Sequence, residues 1–249
     1  MAILLEGGCR VSIMNEGAPR VFGSLKVWNQ IGRASGAEAI SLRILEFGPG
    51  TSPGLRNREC DEVFYVLEGD CTVFIDGVVH EIGPATGIYL QPGKTLSVEN
   101  VGPDVVRFVS SQCPDEGVEI ISVLDSRAES SDQSTPIVSL ADRRALPTAD
   151  RWYRVLVDDE VGSEQVTQFV GSIPPGRAPD HFHEYEEVLF ILKGEGRMWA
   201  GDTNTPIGPG SCIYLPKRQV HCVENTGDGE LRLLGVFYPA GSPAVRYEA

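Results

Sequence analysis

Histidine is scarce in this chain, with four among 249 residues, and Trp and Met contribute three each. Other shortages bound the function before any motif is read. The six cysteines (Cys9, Cys60, Cys71, Cys113, Cys212, Cys222) show no CxxC spacing, which argues against a zinc knuckle or a dithiol redox motif. They read as free thiols in a reducing cytoplasm. No apolar run approaches the roughly 20 residues of a membrane span. Residues 1–6 lack the basic region and apolar core of a secretion signal. Basic residues are also short, with Lys+Arg 21 against Asp+Glu 35 and a net charge of −14. With no basic stripe, nucleic acid and anionic membranes are disfavoured as partners.

What is abundant is Gly (28) and Pro (17), set between short runs of Val, Ile, Phe and Tyr. That pattern is one of many strands and tight turns, an all-β chain. The chain also repeats itself. A shift of 125 residues aligns 56–102 with 181–227 without a gap, and fifteen of the forty-seven pairs are identical. They include Glu62/Glu187, Gly69/Gly194, Tyr89/Tyr214 and Asn100/Asn225. Two copies of one domain follow, 1–125 and 126–249, joined by the polar stretch 126–136. Within the copies, Asp76-Gly77 predicts a hairpin. A short helix is expected at 139–146, ended by Pro147. The glycine-rich stretch 7–36 is expected to supply edge strands.

Three of the four histidines fall in two short segments. His181 and His183 stand at i and i+2, so on a strand they point to one face, with Glu187 four residues further on. His221 lies inside a second segment, after Pro216. Three imidazoles and a carboxylate suit a borderline divalent ion such as Fe, Mn, Ni, Cu or Zn, whereas Ca and Mg prefer oxygen. The blander reading is surface histidines, or a hydrogen-bonded core pair; a third His and a Glu at matching positions weigh against it. The expected ligands are therefore His181, His183, Glu187 and His221.

These residues resemble the cupin superfamily, whose motifs are G(x)5HxH(x)3–4E(x)6G and G(x)5PxG(x)2H(x)3N. The second copy matches at Gly176, His181, His183, Glu187 and Gly194, then at Gly210, Pro216, His221 and Asn225. It departs in two places: four residues separate Gly176 from His181, and Arg218 replaces the second motif's glycine. The resemblance covers both copies. It implies a bicupin of tandem jelly-roll (double-stranded β-helix) barrels, with one divalent transition metal per chain, Fe, Mn or Ni before Zn or Cu. In the first copy the three histidine positions hold Arg56, Arg58 and Leu96, so no metal is expected there. Arg56 and Arg58 either grip an anion or, as favoured, pair with Glu62, Glu59 or Asp61. His80, beside the Asp76-Gly77 turn, reads as a solvated loop residue.

The resemblance fixes a class of site rather than a reaction. The leading expectation is a dioxygenase for a small enolic, diketone or aromatic substrate. Glu187 is then the candidate base; Tyr185 is either a proton donor or rim packing. The alternatives are a metal-dependent isomerase, lyase or decarboxylase of a small acid or sugar, and a non-catalytic binding protein. Ureidoglycine aminohydrolases order their ligands as ExHxxxH…Q, unlike the HxHxxxE…H found here. The expected partner is a small-molecule substrate, and the chain is a monomer or a homodimer. Alternation from His183 and Glu187 points Leu189 and Ile191 into an apolar cavity floor.

Overall fold

The computed structural model describes residues 1–117, 119–122, 136–245 and 247–248. The expected linker 126–136 lies outside these residues apart from Pro136. Every helical segment among them is a single 3-10 turn; the rest is strand and turn. Among the described residues no helix is long and apolar enough to cross a membrane.

Each repeat folds into a barrel in which a large sheet faces a six-stranded one. The large sheets are built around Asp61–Glu68 in the first barrel and Glu186–Lys193 in the second. Both strands are buried on both faces. Their continuous apolar runs, where alternation would be expected of a half-exposed strand, follow from that double burial. One face of each strand lines its own barrel: Phe64 and Val66 in the first, Leu189 and Ile191 in the second. The other face turns Val63 and Tyr65, or Val188 and Phe190, into an apolar layer between the barrels. Three cores result. At ~1.5–3 kcal/mol per fully buried large side chain, the middle layer makes the two barrels one packed body.

The smaller sheets alternate as solvated sheets do. Cys71–Ile75 and Gly196–Ala200 both run buried, half-buried, buried, half-buried, buried. Asp76 and Gly77 (φ 45° and 81°) join Cys71–Ile75 to Val78–Ile82 as the expected two-residue hairpin.

The sheets also exchange strands between the two repeats, across the boundary expected at 125/126. Ile3–Leu4 and Arg10–Ile13 extend the second barrel's large sheet, where Arg10–Ile13 pairs with Ser211–Leu215. Ile137–Ser139 pairs with Thr86–Leu90 of the first barrel. The stretch 7–36 supplies the edge strand Arg20–Phe22 to the first barrel, whereas in the second Arg10–Ile13 lies one strand in from the edge strand Ile3–Leu4. Two local expectations fail. The helix at 139–146 is one 3-10 turn, Leu140–Asp142, capped by the Ser139 hydroxyl and set between strands. Strand pairing on both sides leaves no room for a longer helix. His80 lies in the edge strand Val78–Ile82, half-buried, and not in a loop.

Candidate metal centre

His181 occupies the two-residue strand His181–Phe182, and its direct cross-strand partner is His221. His183 follows two residues on. Glu187 stands on the strand Glu186–Lys193 between Leu215 and Phe237. The turn bearing the second motif is tied to the first by a backbone bond from Arg218 N to the His183 carbonyl (2.7 Å). Arg218 adopts φ +62°, which explains why the motif prefers glycine there: left-handed backbone disfavours a Cβ. The first barrel has Gly93 at the matching position, with φ +81°.

The donor atoms of His181, His183 and His221 lie within 4.8 Å of one another. Glu187 Oε2 is 3.8 Å from His183 Nε2 and 3.6 Å from His221 Nε2. For metal–ligand bonds of about 2.1 Å, neighbouring ligands stand about 3 Å apart, so small adjustments close this set on an ion. His181 Nδ1 lies 3.0 Å from the Pro179 carbonyl and His221 Nδ1 2.8 Å from that of Gln219. Each carbonyl needs a donor, which fixes the tautomer and leaves Nε2 as a lone pair facing inward. His183, Glu187 and His221 are buried. Burial pushes the Glu187 carboxyl up to about 8 and, with the two neighbouring imidazoles, the His221 imidazole down to about 3. Without an ion Glu187 and His221 are thus pressed towards their neutral forms; a cation reverses the pressure on both groups.

One atom decides whether this set fits a metal. Glu187 Oε2 is buried and meets no hydrogen-bond donor among the described residues. A carboxylate oxygen in that condition costs several kcal/mol unless a cation or proton sits on it. The first barrel supplies the control. Glu62, equally buried, accepts from Asn57 Nδ2 (2.7 Å) and Arg43 Nη1 (3.4 Å). Gln112 and Asp115 complete the network around Arg43. By strand pairing, Arg43 and Gln112 occupy the places of Phe169 and Phe237. Asn57 stands where the second barrel has Phe182. A guanidinium and two amides fill one site; the other keeps an aromatic pocket and an unsatisfied glutamate. The partners expected for Arg56 and Arg58 are not the observed ones. Arg56 bonds Thr95, Arg58 pairs with Glu119, and Glu62 is taken by Arg43, a residue outside both motifs. Neither motif arginine bonds the buried carboxylate.

Residues 43–111 and 169–237 each match the cupin domain family, one match per barrel and over half the chain together. The chain belongs to the cupin family. The auxin-binding protein 1 of Arabidopsis thaliana is 32% identical over 86 residues, 30% of this chain and 43% of that protein. The oxalate-binding protein of Thermotoga maritima is 36% identical over 67 residues, 26% of this chain and 55% of its own. The matches thus span about half the length of these relatives. In architecture, the oxalate decarboxylase of Bacillus subtilis, in a structure described by its Mn(II) centres, superposes over 93% of this chain and 78% of its own. The TM-score is 0.76 at 14% identity, a likeness of fold.

The cupin pocket at the histidines has a volume of about 90 Å³. Phe169, Leu189, Leu233 and Phe237 make it largely apolar, with Tyr153 and Arg151 reaching in from the neighbouring strand. Leu189 was expected there; Arg151, Tyr153 and Phe169 were not, because their strands carry no motif. Arg151-Trp152-Tyr153-Arg154 does not alternate polar with apolar, so the sequence carried no signal for them. Tyr185 stacks flat on His183 (4.9 Å, 10°), and its hydroxyl donates to the Ser242 carbonyl (3.1 Å). That geometry supports rim packing over proton donation. The acidic residues near the ligands have other work. Glu184 pairs with Arg218, and Glu224 accepts from Trp199. Glu186 accepts from the Glu38 and Ala39 amides and the Tyr214 hydroxyl, which fastens the first barrel to the second.

Proposed function

We propose that this bicupin is a metal-dependent lyase that decarboxylates a small carboxylic acid in its second barrel. His181, His183, His221 and Glu187 hold one divalent ion, Mn, Fe or Ni before Zn or Cu. The observation that carries the reading is the buried Glu187 oxygen without a donor, beside three imidazoles, two of which turn their other nitrogen to a backbone carbonyl. The names of the oxalate relatives support the lyase alternative over the dioxygenase expectation. So does the pocket: about 90 Å³ suits a few heavy atoms, against the about 300–1,000 Å³ of pockets for drug-sized ligands. A flavonoid-sized substrate does not fit that space.

When bound, the ion supplies Lewis-acid charge that polarises a carboxylate. The chain supplies the rest. Phe169, Phe237 and Leu189 keep the site dry, which strengthens each charge interaction within it. The Pro179 and Gln219 carbonyls hold two imidazoles in orientation. For oxalate the balance is C2O4²⁻ + H⁺ → CO2 + HCOO⁻: the carbon–carbon bond breaks, the remaining fragment keeps the electron pair, and a proton from solvent completes formate. No net oxidant is consumed.

The test is Mn(II)-loaded protein with oxalate, following CO2, formate and dissolved O2. Equal CO2 and formate without net O2 uptake is expected. Stoichiometric O2 consumption with a diketone or enol would return the dioxygenase. The auxin- and oxalate-binding names favour a second reading, a protein that binds a small acid without turning it over. Saturable binding with no product from several 2-oxo and dicarboxylic acids would establish that one.

A further inference from the structure

The strand Arg151–Val157 runs along the pocket wall, and its pairing with Thr167–Ile173 sets Tyr153 opposite Gly171 on the pocket side. Trp152 stacks between the guanidinium groups of Arg154 and Arg232, each 5.4 Å from its ring, and also borders the pocket. Tyr153 packs against the second barrel's interior. Arg151, two residues before Tyr153, shares that inward face and lines the pocket with the three histidines. Its side chain is only 13% exposed. Among the described residues its one ion pair is from Nε to Asp150 Oδ1 (3.0 Å), an aspartate 65% exposed. A screened surface carboxylate of that kind offsets little of a charge in the interior. No described residue takes Arg151's two terminal nitrogens.

Charge bookkeeping gives this a consequence for substrate. A divalent ion with three neutral imidazoles and the Glu187 carboxylate leaves one positive charge in an apolar pocket. A monocarboxylate balances it alone. A second substrate carboxylate needs a second cation, and a planar guanidinium whose two terminal nitrogens are free of described partners matches a carboxylate in bidentate fashion. We propose that Arg151 is the specificity residue of this site, clamping the second carboxylate of a small dianionic acid. The proposal rests on the metal site argued above and selects dicarboxylic over monocarboxylic acids.

Calorimetric titration of oxalate, and of the uncharged isostere oxamide, into Mn(II)-loaded protein tests it, using wild type, Arg151→Gln and Arg151→Lys. Loss of a bidentate charged contact is expected to weaken oxalate binding at least about tenfold in Arg151→Gln, with partial recovery in Arg151→Lys. Oxamide binding and metal content should be the same in all three, which also shows that the variants are folded. Equal oxalate affinity in wild type and Arg151→Gln would overturn the clamp, as would parallel loss of oxalate and oxamide. Turnover separates the two proposals. Wild type that binds oxalate through Arg151 but releases no CO2 defeats the lyase and keeps the clamp. Turnover with an unchanged KM in Arg151→Gln defeats the clamp and keeps the lyase.

Discussion

At the scale of single residues, the departures from the family motif carry physical information. Arg218 holds a backbone conformation that L side chains disfavour by ~1–2 kcal/mol. Its exposed contact with Glu184 returns little of that. Arg218→Gly is therefore expected to raise stability by about 0.5–1 kcal/mol, after the extra chain entropy of glycine is subtracted. A denaturant midpoint shifted upward at unchanged slope would show it; a downward shift would mean the Glu184 contact outweighs the backbone strain. The ligand histidines were legible in the sequence because i, i+2 spacing survives any rearrangement of neighbours. Arg43 was not. It lies nineteen residues before Glu62 (62 − 43) with no motif around it, and only strand pairing brings the two together.

At the scale of elements, the two barrels solve one problem in two ways. A glutamate fixed at the same place on the central strand must be neutralised. The first barrel uses Arg43 and Asn57; the second presents imidazoles. Arg43 and Glu62 are almost wholly buried, so removing one partner leaves an uncompensated charge. Arg43→Met should cost about 3–5 kcal/mol, and Arg43→Met with Glu62→Met should recover most of it. Thermal melts of both variants check this. Metal content of the second barrel should not change. A negligible loss in the single variant would mean that Asn57 alone satisfies Glu62. The strands themselves were legible from apolar runs and Gly-Pro turns. The 3-10 turn at Leu140–Asp142 was read as a helix because a capping serine and a following proline mark a helix of any length.

At the scale of the whole molecule, the repeat predicted two domains, and the structure adds how they are joined. Leu5, Cys9 and Val11 of the first half pack inside the second barrel, while Ile137–Ser139 of the second half closes the first barrel's sheet. The layer between the barrels belongs to neither alone. Sequence periodicity shows which faces are apolar; it does not show which sheet a terminal strand will join. Residues 126–249 produced alone should be insoluble or lack fixed tertiary packing, and co-production with 1–125 should restore a soluble complex. A well-folded isolated 126–249 that binds Mn(II) would contradict the exchanged architecture.

The central claim is that metal belongs to the second barrel, held by the histidines that the first has lost. His221→Leu reproduces the first barrel's own residue, Leu96, at the equivalent position. The direct measurement is elemental analysis of wild type and His221→Leu, purified without chelator from manganese-supplemented medium and matched by circular dichroism. The account predicts about one transition ion per wild-type chain and less than about 0.1 in His221→Leu. Two ions per wild-type chain, or an ion kept in folded His221→Leu, would contradict it.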